Sequence, residues 1–168
     1  MIENESATFI GFGNMGAAIF DSVFKNNCFN KISIIDPDES KTSRIENSSV
    51  ITYSKISKDI SNSKYIWICT KPQLFSKVSN DLSKYLNPDQ VIISIMAGIT
   101  KKQIINETNH SKVVRIMPNT PAKLAKGVTG LYMFDDFLED DRQFVISICD
   151  SFSKVVVLNN EDDINLIT

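Results

Sequence analysis

Thr8-Phe9-Ile10-Gly11-Phe12-Gly13-Asn14-Met15-Gly16 decides how this chain is read. A short, largely apolar run leads into three glycines, and a helix-like segment, Ala17-Ala18-Ile19-Phe20-Asp21-Ser22-Val23-Phe24, follows. Each glycine has a separate reason. Gly11 permits a tight turn out of a strand, Gly13 lets a diphosphate approach the backbone, and Gly16 lets the new helix pack closely on a sheet. The start of that helix offers N–H groups and a positive dipole end to phosphates, which places Asn14 and Met15 beside the ligand as well. Met15, Ile19 and Val23 recur every four residues and give the helix an apolar face.

Working outward, the chain alternates between apolar runs and helix-like stretches. Strands are expected at Ala7–Gly11, Lys31–Asp36, Val50–Tyr53, Tyr65–Thr70, Val91–Ile95, Val113–Met117, Gly127–Phe134 and Val155–Leu158. Between them, helices are expected over Asp38–Asn47, on a stripe of Leu74, Val78, Leu82 and Leu86, after an N-cap at Thr100, and over Asp140–Phe152. Ser57–Ser63 reads as a weakly helical connection. Tyr65-Ile66-Trp67-Ile68 and Val91-Ile92-Ile93 are nearly continuous in apolarity, as strands buried on both faces should be. Such alternation predicts an α/β fold: a Rossmann-type doubly wound sheet, mostly parallel, with room for antiparallel edge strands. Right-handed crossovers then gather the glycine loop, Asp36, Lys71-Pro72, Ala97-Gly98 and Pro118-Asn119 at one sheet edge, where such sheets bind ligands.

Composition narrows the classes. The 168 residues suffice for one domain with a real core, and 42% apolar with 23% charged residues is ordinary for a globular protein. A net charge of −2 gives no broad attraction to nucleic acid or anionic membrane. The start, Met1-Ile2-Glu3-Asn4-Glu5, has no apolar signal core, and no run is long enough to span a bilayer. Cys28, Cys69 and Cys149 are odd in number and far apart, without metal spacing or a redox pair. Free thiols in a reducing cytoplasm, and no metal, are the expectation. Residues 1–6 read as a mobile polar lead-in.

Four blocks carry a resemblance. Phe9–Gly16 is followed by Thr70-Lys71-Pro72-Gln73, then Ser94-Ile95-Met96-Ala97-Gly98-Ile99-Thr100, then Val114-Arg115-Ile116-Met117-Pro118-Asn119-Thr120-Pro121-Ala122, with Gly127-Val128-Thr129 beyond. In order and interval they resemble the N-terminal domain of pyrroline-5-carboxylate reductase. The resemblance implies reduction of 1-pyrroline-5-carboxylate to L-proline with NADH or NADPH. It also implies a cofactor domain over 1–160, with 161–168 beginning the connection to a helical domain that binds substrate and makes a homo-oligomer. On that basis the chain is expected to bind dinucleotide but turn over poorly, and Asp162–Thr168 to fray. Three departures stand out. Met96 replaces a small residue and is expected to crowd the cofactor edge, Thr70 replaces a Val, and an Asn near the adenosine has no counterpart around Ser54–Ser57.

The candidate cofactor-binding set is Gly11, Gly13, Asn14, Met15, Gly16, Asp36, Cys69, Thr70, Lys71, Pro72, Ala97 and Gly98. Asp36 follows Gly11 by 25 positions, near the spacing (~20 after the fingerprint) of a carboxylate that accepts ribose hydroxyls. A 2′-phosphate beside it would meet a like charge, so NADH is favoured by about tenfold, although Lys41 and Arg44 are within reach of such a phosphate. Lys71 reads as a strand-end cation facing phosphate or ribose oxygens or only solvent; the resemblance favours cofactor contact for this segment, with the Cys69 and Thr70 carbonyls along the nicotinamide. Cys69 also reads as a small core residue. Asn119 is the one catalytic candidate, orienting carboxamide or imine; a turn-stabilising role between two prolines reads equally well. Arg115 reads as a structural ion-pair residue. His110 lies in a polar stretch with no partner spacing for catalysis. Two other readings stay open: a non-catalytic nucleotide-sensing module, and a reductase of another substrate, such as one acting on 2-hydroxy acids or using a deazaflavin.

Overall fold

The structure, a computed structural model, describes residues 5–119, 127–133 and 137–167. Residues 1–4, Thr120 to Ala122 of the fourth block, Phe134 and Thr168 lie outside this set, and so do the expectations placed on them.

The strands are β1 (Ser6–Ile10), β2 (Lys31–Ile35), β3 (Val50–Tyr53), β4 (Tyr65–Ile68), β5 (Val91–Ser94), β6 (Val113–Pro118), β7 (Gly127–Tyr132) and β8 (Ser153–Val157). The α-helices are α1 (Asn14–Lys25), α2 (Phe75–Leu82), α3 (Lys101–Thr108) and α4 (Glu139–Asp150). All eight strands form one sheet in the order β3-β2-β1-β4-β5-β6-β7-β8. The first six are mutually parallel; β7 runs antiparallel to β6, and β8 returns parallel to β7 through α4. The order reverses between β1 and β4, which opens the crevice where a doubly wound sheet receives its ligand.

Alternation along the strands explains the two-sided core. Tyr65 and Trp67 point into one apolar layer with Phe9, Ile19, Val23 and Phe144; Ile66 and Ile68 point into the other with Phe75, Leu82 and Ile104. Trp67 stacks on Phe9 with ring centroids 5.3 Å apart, and Phe20 meets Phe9 edge-on at 6.0 Å. Burying each such ring contributes about 1.5–3 kcal/mol. Among the described residues no helix is long and apolar enough to cross a membrane.

Three local expectations are corrected. The helix expected over Asp38–Asn47 is a single 3-10 turn, Glu39–Lys41. Asp38 caps it, while Thr42 and Ser43 hydroxyls bond to the Glu39 and Ser40 carbonyls, so side chains compete with helix continuation. The stripe of Leu74, Val78, Leu82 and Leu86 holds from Val78 onward, with Leu82 buried and Val78 and Leu86 packed against the core, and fails at Leu74. Pro72 starts a 3-10 turn through Leu74, α2 begins only at Phe75, and its buried face is Phe75, Ser79 and Leu82, leaving Leu74 52% exposed. His110, which has no catalytic partner by sequence spacing, is buried: α3 is followed by Asn109 in the left-handed conformation (φ 52°), and the His110 Nε2–H donates to the Gln90 carbonyl at 2.7 Å. Finally, the segment expected to fray forms a 3-10 helix, Glu161–Leu166, with Ile164 fully buried. Ile167 then packs over Gly130, where an added Cβ would lie 2.7 Å from its Cγ1.

Candidate dinucleotide site at the carboxyl end of the sheet

The loop after β1 is held by backbone. The Gly11 N–H donates to the Ile35 carbonyl at 2.8 Å and the Cys69 N–H to the Ile10 carbonyl at 2.8 Å, so the ends of β1, β2 and β4 are tied together. Gly11 sits at φ +91°, where an added Cβ would meet Thr70 and the Cys69 backbone at 2.8–2.9 Å. At Gly16 an added Cβ would meet the Gly11 carbonyl at 2.7 Å and Cys69 Cβ at 3.0 Å. These two glycines are required by the protein's own packing. Gly13 differs: nothing lies within 4 Å of its Cβ position. It is the N-cap of α1, and the first intrahelical bond runs from Ala17 N–H to its carbonyl at 2.9 Å. The N–H groups of Asn14, Met15 and Gly16 therefore precede the helical ladder, with no side-chain cap and no acidic residue in the first turn. This is an anion-receptive helix start behind an open glycine.

Asp36 lies directly behind the loop, 4% exposed. Its Oδ2 accepts the Phe12 N–H at 2.7 Å and its Oδ1 the Asp38 N–H at 2.9 Å; Lys41 Nζ reaches both oxygens, at 3.0 and 3.1 Å. Burial alone would raise its pKa, but the two N–H bonds and the Lys41 ammonium outweigh it and hold the carboxyl below its ordinary range. All four lone-pair positions of the carboxylate thus have a donor inside the chain. The spacing that singled out Asp36 could not show this, since Phe12 and Lys41 approach it from two directions. Phe12, passed over in the sequence, is buried against Phe20 at 5.4 Å and turns its N–H toward Asp36.

Across the crevice, Lys71 is exposed and caps the turn that begins at Pro72. Cys69 lies under Gly16, and burial pushes its thiol pKa far up, in keeping with a packing role. After β5, Ala97 and Gly98 are exposed, and Gly98 has φ +74° with nothing within 4 Å of its Cβ position. Met96 instead turns down into the core with Ile10, Ile35 and Ile68, so it does not crowd the open edge; its Sδ lies 3.9 Å from Thr70 Oγ1. Asn119 exchanges both backbone and side-chain bonds with Val128, each at 3.2 Å, and so extends the β6–β7 pairing. The structure thus brings Gly13, Asn14, Lys71, Ala97 and Gly98 to one exposed edge and sets Gly11, Gly16 and Asp36 beneath it. At the opposite end of the strands a groove near Ser63, Lys64 and Gln90 is separate from this edge, and the Gln90 amide there is bonded to the Ile60 and Ser63 carbonyls.

Residues 6–98, more than half of the chain, match the family model described as NADP oxidoreductase coenzyme F420-dependent. The chain belongs to this family. The chain is 29% identical over 173 residues to pyrroline-5-carboxylate reductase of Pasteurella multocida, covering 99% of this chain and 63% of that relative. A solved pyrroline-5-carboxylate reductase from Coxiella burnetii superposes with a TM-score of 0.88 at 25% identity, covering 96% of this chain and 62% of that one. Plasmodium falciparum pyrroline carboxylate reductase, solved with NADP bound, has a TM-score of 0.82 at 22% identity, covers 99% of this chain and 62% of its own, and supports the fold. The chain spans about three fifths of the length of the relatives it matches.

Proposed function

We propose that this oxidoreductase chain binds a nicotinamide dinucleotide at the carboxyl end of its sheet and supplies the cofactor half of a pyrroline-5-carboxylate reductase. The observation that carries the reading is the open space at Gly13 in front of an uncapped helix start, with a second open glycine, Gly98, after β5 on the same sheet edge. The Asn14–Gly16 N–H groups would hold the pyrophosphate, β2 and Asp36 would border the adenosine half, and Lys71, Ala97 and Gly98 would border the nicotinamide half. When bound, the reduced nicotinamide would supply a hydride for the C=N carbon of 1-pyrroline-5-carboxylate, and with the proton that the protonated imine already carries on nitrogen the product would be L-proline. The chain's part is to position: Gly13 and Gly98 admit the ligand, and Lys71 places positive charge beside it. Asn119, tied into the β6–β7 pairing, shapes the neighbouring edge and is assigned no proton.

A preference for NADH rests on Asp36, whose charge opposes a 2′-phosphate. Lys41 beside it reduces that opposition, so the preference falls below about tenfold. Full-length relatives named as reductases of this imine support the substrate, and a homo-oligomer built through the part of their length not spanned here completes the reading. Titration of the chain with NADH and NADPH, followed by addition of 1-pyrroline-5-carboxylate, tests it. Saturable dinucleotide binding with slow proline formation is expected. A chimera in which this chain replaces the matching part of the Pasteurella multocida relative should form proline at a substantial rate. A folded, dinucleotide-binding chimera that makes no proline contradicts the substrate assignment.

A further inference from the structure

The turn Met96-Ala97-Gly98 is placed by one near neighbour, Ser94, and by Arg115, distant in sequence. The Met96 N–H donates to Ser94 Oγ at 3.3 Å, and the Met96 carbonyl accepts from Arg115 Nη2 at 3.3 Å, so Met96 is held at both of its backbone polar groups. Arg115 comes from β6 and is buried; its Nη1 donates to Glu161 Oε1 at 2.8 Å. The same Oε1 accepts the Lys101 N–H, at the start of α3, at 2.6 Å. One carboxylate oxygen therefore joins the guanidinium that holds the front of the turn to the backbone that follows it. Glu161 itself is set by the docked segment behind it: Asn160 caps the 3-10 helix, Ile164 is buried, and Ile167 sits over Gly130. A planar, two-pronged guanidinium suits this bridge, because one side chain must donate in two directions at once.

We propose that Arg115 and Glu161 are positioning residues for the nicotinamide-side wall of the site, acting through the Met96 carbonyl and the Lys101 N–H on the exposed Ala97-Gly98 turn. The inference rests on the dinucleotide reading above and adds a pair that neither touches the ligand nor lies near the glycine loop. Its consequence is selective. Loosening the bridge displaces the wall beside the nicotinamide and leaves the adenosine half, over β1 and β2, as it was.

Isothermal titration of the chain with NADH and with ADP-ribose, which lacks the nicotinamide, tests the selectivity, alongside thermal unfolding of each variant. Arg115→Met is expected to weaken NADH binding roughly tenfold, and Glu161→Gln about threefold, while ADP-ribose changes less than about twofold in both. A merely structural role lowers the unfolding midpoint and weakens both ligands alike. Equal shifts for the two ligands, or no shift for either, in the folded Glu161→Gln chain overturn the inference, and this partly exposed position carries the test if Arg115→Met does not fold. If the unaltered chain binds neither ligand, the dinucleotide reading fails and the inference with it. If it binds both and the ratio of affinities never moves, the inference alone fails.

Discussion

The loop Gly11–Gly16 after β1 and the turn Met96–Gly98 after β5 lie on either side of the end of β4, and they are secured by different means. The loop is fixed by its own backbone and by the absence of side chains: Gly11 and Gly16 let strand, helix and the Cys69–Thr70 segment approach within contact. The turn is fixed by Arg115 and Glu161, side chains 46 residues apart in the chain. The loop meets β2 and β4 through backbone and two glycines within six consecutive residues, whereas the turn is held by side-chain groups from β6 and from the Glu161–Leu166 3-10 helix. Altering the loop should therefore act on stability at once, whereas altering the turn's bridge should act on stability modestly and on one half of the ligand selectively.

The largest expected effect is at Gly11. Gly11→Ala combines a positive φ with contacts of 2.8–2.9 Å to Thr70 and the Cys69 backbone. The strain should cost about 3 kcal/mol, seen as a fall of roughly 6–12 °C in the thermal midpoint. A smaller effect is expected at Glu161. Glu161→Ala leaves the buried Arg115 guanidinium without its carboxylate. Because Glu161 keeps some solvent contact, the loss should be about 1–3 kcal/mol rather than the full penalty of a broken buried pair. If Glu161→Ala proves costlier than Gly11→Ala in denaturant titrations, the contrast between the two anchors breaks.

The smallest effects concern pH. His110 has its pKa lowered, first by burial and further by Lys112, against the opposing bond to the Gln90 carbonyl. The unfolded chain then binds the proton more readily, so stability should decline as pH falls below about 6.5 and level off once pH is below the folded-state pKa. His110→Gln should flatten that limb. Asp36 has a lowered pKa, so its contribution is fully present above the unfolded value near pH 4 and is lost as pH falls through its folded value. Unfolding curves from pH 8 to pH 3 should show the two limbs separately. A His110→Gln chain that keeps the upper limb contradicts the assignment to His110.

The loop was legible because its requirements are local: three glycines between an apolar run and a helical pattern specify turn, approach and packing within nine residues. The parallel sheet was legible for a similar reason, since apolar runs such as Tyr65–Ile68 alternate with helical stretches. What escaped depends on contacts that periodicity does not carry. The start of α2 was set by the 3-10 turn at Pro72, which leaves Leu74 outside the stripe, and the Asp38–Asn47 helix yielded to hydroxyl bonds from Thr42 and Ser43. Asp36 was found by its spacing, but its full set of internal donors was not, because Lys41 folds back over it. The expectation of fraying after Glu161 took no account of Gly130, whose missing side chain makes room for Ile167.

The central claim is that Gly13, unlike its two neighbours in the loop, is glycine for the sake of a ligand. Fluorescence titration of reduced nicotinamide dinucleotide into the unaltered chain and into Gly13→Ala tests it, with the thermal midpoint as control. The account predicts saturable binding by the unaltered chain, affinity weakened by about tenfold or more in Gly13→Ala, and a midpoint changed by no more than a few degrees. Undiminished binding in Gly13→Ala, or a loss of stability comparable to that of Gly11→Ala, would contradict it.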